Sequence, residues 1–168
     1  MATTRAQDRL QPALLDRLCD DDPTSKVEPT EARVIGRDRL RELVLRDLAW
    51  LLNTTAPREH IDWTAYPEAR QSMLNFGLPA LSGLSTSSID PEELRLGVKQ
   101  AILDHEPRIL PGTLGVEVVM SESQMDHHNL IGFRISGQLW AQPVPMELLL
   151  QTDVDLETGH VAVRELDR

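Results

Sequence analysis

The sequence predicts an α+β domain in which N-terminal helices pack on a C-terminal antiparallel β-meander of three to four strands. Two long segments before residue 106 repeat apolar residues at helical spacing, whereas the chain after residue 113 alternates apolar and polar residues. Helices that precede a run of strands are typical of α+β folds. With 168 residues, the chain is long enough for one such domain around a single core.

The first 35 residues are predicted to be an N-terminal extension that holds one short amphipathic helix and an acidic linker. The helix falls at residues 12–18, and its leucines share one side: Leu14, Leu15 and Leu18. Three adjacent aspartates then end it. We interpret them as a solvated turn, because a metal site would need further oxygen ligands nearby. The folded domain is therefore predicted at residues 36–168.

Two long helices are predicted at residues 38–52 and 90–105. The apolar stripe of the first consists of Leu40, Leu43, Val44, Leu48 and Leu51. The second has a strong start signal, because Asp90 can cap the helix and a proline suits its first position. Pro107 disfavours helical geometry at the residue before it, so this helix is expected to end near Glu106.

Between the two helices, residues 56–89 contain three prolines and two glycines, which predicts loops and short helical turns. The same segment is rich in large apolar side chains: Trp63, Tyr66, Met73, Leu74, Phe76, Leu78 and Leu81. A free linker would not carry so many apolar residues, so we expect the segment to pack onto the domain.

The C-terminal third is predicted to form strands at residues 114–120, 131–139, 146–156 and 161–166. Apolar and polar residues alternate in each, as they do in strands with one buried face and one wet face. The connections are of hairpin length, so neighbours should pair antiparallel. An open sheet of this kind has edges that a strand of another protein can extend. Trp140 lies at a wet-face position, and we predict that it contacts a partner.

The composition excludes several classes of partner and location. A net charge of −10 and a pI of about 4.9 argue against binding to nucleic acid or to an anionic membrane, since both require basic surface. The single cysteine, Cys19, cannot form an internal disulfide, which favours a reducing compartment. No apolar run is long enough to cross a bilayer, and the charged N-terminus does not resemble an export signal.

Glu106-Pro107-Arg108 lies where the second long helix gives way to the sheet, and its opposite charges flank a rigid proline. A catalytic role would make Glu106 the acid of a glycosidase pair. The candidates for the second carboxylate are Glu117, Glu122 and Asp126. However, Arg108 favours the ionised form of Glu106, which is the wrong form for a general acid. With 27 carboxylates in the chain, a possible pair also carries little information. We therefore expect an ion pair that serves the fold or an interface.

No catalytic residue, cofactor or metal ion is predicted elsewhere. His127 and His128 form the one histidine cluster, but neighbours on an extended segment point to opposite sides and lack further spaced ligands. A metal-binding module built on them remains the weaker alternative. The chain has no GxSxG elbow and no glycine loop that would bind phosphate. The aspartates beside Cys19 disfavour a reactive thiolate.

Five segments stand in one order along nearly the whole chain: residues 14–18 (LLDRL), 43–54 (LVLRDLAWLLNT), 72–79 (SMLNFGLP), 106–108 (EPR) and 156–161 (LETGHV). Together they resemble the TssE family of type VI secretion baseplate proteins. This family is homologous to the wedge protein of contractile phage tails that carries a lysozyme-like label. One departure is Phe76-Gly77, where Tyr-Gly is common in the family.

The resemblance implies a structural, non-enzymatic subunit of a contractile injection system. It implies that Glu106, Pro107 and Arg108 contact the core bundle of the wedge, beside TssF and TssG. It also implies that the sheet pairs with strands of the sheath subunits TssB and TssC and so helps to initiate the sheath. TssK would be an indirect partner. The implied location is cytoplasmic, in a baseplate docked at the inner membrane. The competing hypothesis is a lysozyme-like hydrolase that cleaves peptidoglycan.

Overall fold

The computed structural model describes residues 12–19, 24, 35–57, 61–81, 90–119, 130–141 and 144–166, and the structural statements below concern this part of the chain. Its helices are α1 (Leu14–Leu18), α2 (Arg37–Leu52), α3 (Pro67–Arg70) and α4 (Pro91–His105). Its strands are β1 (Gly115–Val119), β2 (Leu130–Leu139), β3 (Met146–Asp155) and β4 (Val161–Glu165). Three single 3-10 turns lie at Trp63–Ala65, Met73–Asn75 and Pro111–Thr113. Among the described residues, no helix is both long and apolar enough to cross a membrane.

The four strands form one antiparallel sheet in the order β1-β2-β3-β4, which confirms the predicted α+β fold with a C-terminal meander. The register places Val116 of β1 opposite Ile135 of β2 and Ile135 opposite Leu150 of β3. These three side chains are buried, so one face of the sheet carries the core. The predicted strands agree with the observed ones to within one or two residues.

The two long helices pack on the apolar face of the sheet and complete the core. Both were predicted to within one residue, and Asp90 caps α4 by accepting a hydrogen bond from the backbone N–H of Glu92 at 2.9 Å. The largest fully buried side chains are Phe133, Leu48, Leu51, Leu78, Ile102, Ile109, Ile135, Leu139, Leu148, Leu150, Leu156 and Val44. Each helix therefore contributes the apolar stripe that its sequence spacing predicts.

Polar side chains of α2 fix the sheet at both ends of the helix. Asn53, which ends α2, donates from Nδ2 to the carbonyl of Val161 and accepts from the backbone N–H of Val161, both at 2.9 Å. Near the start of α2, Arg41 donates from Nη2 to the carbonyl of Glu147 at 3.0 Å, and its Nε lies 3.2 Å from a carboxylate oxygen of Glu165. These contacts set the position of α2 along β3 and β4.

Gly77 allows the segment before α4 to close against the end of α2. Leu78 donates its N–H to the carbonyl of Thr54 at 2.8 Å, and Ala56 donates to the carbonyl of Leu78 at 2.7 Å. Gly77 has φ +120°, and a Cβ there would lie 2.2 Å from the carbonyl oxygen of Thr54, so the position accepts only glycine. The neighbouring ring of Phe76 meets His105 edge to face at 5.3 Å, which brings this segment to the C-terminus of α4.

The segment between the long helices packs onto the domain, as predicted, but only part of its apolar set is buried. Leu78 and Leu81 belong to the core and Phe76 packs against it, whereas Tyr66, Met73 and Leu74 are largely exposed. Short 3-10 turns account for this, because they lack an extended face that could lie against the sheet. The predicted strand residue Met120 and the hairpin at residues 121–129 lie outside the described residues.

Candidate functional site

The turn at Glu106-Pro107-Arg108 begins where α4 stops. Glu106 caps the helix with its backbone, donating its N–H to the carbonyl of Ile102 at 2.8 Å, and its carbonyl accepts from Ile109 at 3.2 Å. The proline between the charges is exposed, whereas Glu106 is only 4% exposed. A buried carboxylate is costly unless it is paired and hydrogen-bonded, so the contacts of Glu106 decide its role.

Arg108 supplies that pairing through a forked contact. Its Nε donates to Oε1 of Glu106 at 2.7 Å, and its Nη2 donates to Oε2 at 2.6 Å. The backbone N–H of Arg108 adds a third bond to Oε1 at 3.1 Å. Bidentate arginine–carboxylate contacts are charge-assisted and fix both side chains in one geometry. The two charges of the motif therefore bind each other across Pro107.

The pair extends into a longer series of charges, which we call the charge chain: Glu106, Arg108, Asp47, Arg46 and Asp16. From Arg108, Nη2 also donates to Oδ2 of Asp47 on α2 at 2.5 Å. Asp47 accepts from Nε and Nη2 of Arg46 at 2.9 and 2.7 Å, and Arg46 then donates to Asp16 of α1 at 2.7 Å. The charge chain thus joins α4, α2 and α1.

The charges in this series support one another. Burial disfavours the charged guanidinium of Arg108, but hydrogen bonds and attraction from Glu106 and Asp47 outweigh that effect and raise the pKa of Arg108 above its usual value. Burial likewise opposes the charge of Arg46, and Asp47 and Asp16 reverse the balance, so that the pKa of Arg46 is also raised. Three carboxylates against two guanidiniums leave one net negative charge.

The backbone of the same turn joins the end of β2. The carbonyl of Arg108 accepts from the N–H of Trp140 at 2.7 Å, and Leu110 donates to the carbonyl of Gln138 at 2.8 Å. Trp140 follows β2 directly and is 52% exposed, as its wet-face position predicts. The four residues predicted to contact a partner therefore lie together: Glu106, Pro107, Arg108 and Trp140. Their contact with another protein remains a prediction.

Three members of the charge chain and a second tryptophan were not predicted as site residues. The guanidinium carbon of Arg46 lies 4.7 Å from the ring centroid of Trp50, a cation–π contact. That ring is 50% exposed. Arg46 lies outside the apolar stripe of α2, which indicates a polar role for its side chain. Its partner Asp16 is 30 residues away along the chain, so the sequence does not indicate the pairing itself.

The five segments that carried the family resemblance contact one another. The charge chain joins LLDRL, LVLRDLAWLLNT and EPR through Asp16, Arg46, Asp47, Glu106 and Arg108. Asn53 joins the second segment to Val161, the last residue of LETGHV. Thr54 joins it to Leu78 of SMLNFGLP. The ordered set of segments therefore corresponds to one connected group of polar contacts.

The geometry does not suit glycoside hydrolysis at Glu106. Both of its carboxylate oxygens are occupied by Arg108, and its side chain is buried, so a sugar cannot reach it for proton transfer. Glu117 is exposed on β1, while Glu122 and Asp126 lie outside the described residues.

Metal ligation has equally little support in the described part of the chain. Within it, no group of three His, Cys, Asp or Glu side chains is placed to hold an ion. His127 and His128 lie outside the described residues. Cys19, at the end of α1, is exposed and free.

Comparison with known protein families gives one match. Residues 38–144 match the family described as baseplate wedge protein gp25. The matched range spans more than half of the chain and includes α2 except for its first residue, α4, the Glu106-Pro107-Arg108 turn, β1 and β2. No curated protein and no solved structure matches the chain.

Proposed function

We propose that this chain, which belongs to the family of baseplate wedge protein gp25 and so has a structural role in a baseplate, is the wedge subunit that connects the baseplate core to the contractile sheath. In this proposal the system is a type VI secretion system, the core is formed by TssF and TssG, and the sheath by TssB and TssC. Its place is the cytoplasmic baseplate at the inner membrane. The chain acts there by binding, without catalysis.

The wedge side of the proposal rests on the surface around the turn. Pro107 and Trp140 are exposed beside Arg108, and aromatic residues and arginine are enriched where proteins bind each other. The charge chain holds Arg108 in place, so this surface is formed before a partner arrives. TssF and TssG are the partners that we assign to it.

The sheath side rests on the edges of the sheet, and each edge is blocked at one position. On β1, the outward carbonyl of Val116 accepts from Arg95 at 3.1 Å. On β4, the outward N–H and carbonyl of Val161 are both bound by Asn53. In an antiparallel edge strand every second residue directs its backbone groups outward. Among the described residues of the two edge strands, the outward positions that remain are Val118 of β1 and Val163 and Glu165 of β4.

We assign the strand-pairing role to β4, because two successive outward residues can begin a ladder there, whereas the described part of β1 offers one. The observation that carries the proposal is this pair, Val163 and Glu165, whose outward backbone groups lie in the edge strand beyond the position that Asn53 binds. A sheath strand added there would hydrogen-bond to both residues and extend the meander by β-augmentation.

The test removes one outward backbone N–H from each edge strand of the sheet by substituting proline. Val163→Pro removes a donor that points away from β3, so the ladder between β3 and β4 keeps its bonds. Val118→Pro makes the matched change on β1. We expect cells with Val163→Pro to assemble few fluorescent TssB/TssC sheaths while the variant still copurifies with TssF and TssG, and Val118→Pro to assemble sheaths normally. Normal sheaths with Val163→Pro would refute the assignment to β4.

A further inference from the structure

The contact between Asp16 and Arg46 uses only part of what each side chain offers. Nη2 of Arg46 donates to Oδ1 of Asp16 at 2.7 Å, and the other hydrogen bonds of Arg46, from Nε and Nη2, go to Asp47. Nη1 therefore donates to none of the described residues. On the carboxylate, Oδ2 is buried and has no donor in the described part of the chain. One donor and one acceptor thus remain unused by the protein at the same ion pair.

The fork between Glu106 and Arg108 shows how a more complete contact of this kind is built. Two nitrogens of one guanidinium donate there to the two oxygens of one carboxylate, at 2.7 and 2.6 Å. A bidentate arrangement adds both energy and geometric specificity to an arginine–carboxylate pair. Asp16 makes a single bond to Arg46, so a carboxylate that engaged Nη1 together with Nη2 would bind this arginine more strongly.

Arg46 is positioned for such a carboxylate by two neighbours on α2. Asp47 accepts hydrogen bonds from its Nε and Nη2, and the guanidinium carbon lies 4.7 Å from the ring centroid of Trp50. Neither contact involves α1, so both remain when α1 detaches. A side chain that is fixed before binding loses little conformational entropy when a partner arrives. The half-exposed ring of Trp50 also places apolar surface beside the charge.

The helix that supplies Asp16 is held weakly. No residue of α1 is fully buried, and its three leucines are exposed. Within the described chain, the bond from Arg46 to Asp16 is the one polar contact between α1 and the other elements. A helix of five residues is too short to be stable alone in water. A buried oxygen without a donor is also unfavourable, and detachment of α1 would return Oδ2 of Asp16 to water.

We propose that Arg46 and Trp50 form a docking site for an aspartate or glutamate of a neighbouring baseplate subunit, and that Asp16 covers this site until the partner's carboxylate displaces α1. The inference rests on the proposed baseplate function and adds a second docking surface to the one around Trp140. Because Asp16 lies on the site in the free chain, the structure itself shows which chemical group fits there. Asp16 precedes the matched family range, which begins at residue 38, so the family match does not imply the exchange.

The group that is replaced defines the partner chemistry. Arg46 carries a permanent positive charge, so the incoming group is an anion. The backbone of α1 is bonded internally, with two N–H···O distances of 3.1 Å, so the present carboxylate reaches Arg46 from a helix. The ring of Trp50 favours an apolar side chain next to the incoming carboxylate. The partner surface that fits is therefore a helical segment with an exposed acidic residue and an apolar neighbour.

The experiment measures binding of the full chain to a purified TssF–TssG complex. Asp16→Ala removes the carboxylate that covers Arg46. We expect this variant to bind at least about threefold more tightly than the unmodified chain, because binding no longer requires the release of α1. The matched control is Asp38→Ala, which removes the same charge from an exposed position of α2 and should leave binding unchanged. Unchanged or weaker binding of Asp16→Ala would refute the displacement.

Arg46→Gln tests the docking site itself. A neutral amide cannot form the charge-assisted fork, so we expect binding at least about tenfold weaker than that of the unmodified chain. In the Arg46→Gln background, Asp16→Ala should have no further effect, since the site that it uncovers is absent. A gain from Asp16→Ala that persists without Arg46 would overturn the assignment.

Hydrogen exchange provides a second readout on the unmodified chain. Displacement predicts that the amides of Arg17 and Cys19 exchange faster in the complex than in the free chain, because α1 has lost its anchor. Slower exchange would show that α1 itself docks on the partner, and unchanged exchange would show that Asp16 stays in place; either result overturns the proposal. A dimer in sedimentation that Asp16→Ala abolishes would assign the contact to exchange of α1 between two copies, which also overturns it.

Trp140→Ala separates this inference from the proposed function, because it changes the other docking surface. If Trp140→Ala weakens binding while Asp16→Ala binds like the unmodified chain, the displacement is refuted and the wedge role stands. If the unmodified chain does not bind the complex, the wedge role fails and the inference fails with it.

Discussion

The charge chain ends in two arginine–carboxylate pairs that resemble each other in chemistry and differ in what they join. At the inner end, Glu106 and Arg108 share a forked contact, a backbone bond and a link to Asp47. At the outer end, Asp16 and Arg46 share one hydrogen bond. The inner pair connects elements that build the core, whereas the outer pair holds a helix that buries none of its five residues.

The difference shows that the energetic role of an ion pair depends on the elements it connects. Removing one partner of a buried pair leaves an uncompensated charge and costs about 3–5 kcal/mol when the site is fully enclosed. Losing an exposed pair typically costs well under about 1 kcal/mol. The pair of Glu106 and Arg108 is close to the buried case. The pair of Asp16 and Arg46 is closer to the exposed case, because Asp16 becomes accessible to water when α1 detaches.

The largest expected effect is at the inner end. Glu106→Gln places amide hydrogens or a weaker acceptor against the fork of Arg108 inside the domain. We expect the free energy of unfolding of the purified chain to fall by about 2–4 kcal/mol in urea titration. The matched control is Glu117→Gln on the exposed face of β1, which should change stability by less than about 0.5 kcal/mol. Equal effects of the two changes would remove the distinction between a buried and an exposed carboxylate.

A smaller effect is expected when the charge is kept but the fork is lost. Arg108→Lys retains one positive charge near Glu106 and Asp47, yet an ammonium group cannot make the bidentate contact. We expect a loss of about 1–2 kcal/mol in stability, visible as a lower melting temperature. Arg46→Lys provides the comparison at the outer end and should cost less. A larger loss of stability from Arg46→Lys than from Arg108→Lys would contradict the account, which expects the inner pair to contribute more.

The smallest effect on stability is expected at α1. Asp16→Ala should lower the free energy of unfolding by less than about 1 kcal/mol, because no core residue depends on α1. It should nevertheless free the helix, so that the amides of Arg17 and Cys19 exchange hydrogen at nearly the rate of an unfolded chain. The amides of α2 serve as the internal control and should keep their protection. Retained protection of α1 would show that another contact holds it.

The sequence was sufficient to predict the parts of the molecule that depend on periodicity. The apolar stripes of α2 and α4 and the alternation in the strands repeat over many residues, and each repeat adds to the signal. The start of α4 was equally clear, because a capping aspartate and a first-turn proline are local features. These elements lie within one or two residues of their predicted ends.

Contacts between distant residues could not be predicted in this way. Asp47 binds Arg108 across 61 positions, and nothing in the local pattern of either residue indicates that pairing. The contact between Arg46 and the half-exposed ring of Trp50 was likewise not predicted. The sequence indicated that Glu106 and Arg108 form an ion pair, and the structure shows that this pair also reaches two further helices.

A double-mutant cycle between Glu106 and Arg108 tests most directly the claim that the motif first stabilises its own domain. The free energy of unfolding would be measured by urea titration on the purified chain, without any partner, for Glu106→Gln, Arg108→Lys and the combined variant. The account predicts a coupling of about 1–3 kcal/mol, since the two side chains share one contact. Two results together would contradict it: effects of the two changes that add within about 0.3 kcal/mol, and a combined variant as stable as the unmodified chain. The motif would then serve only as a surface for partners.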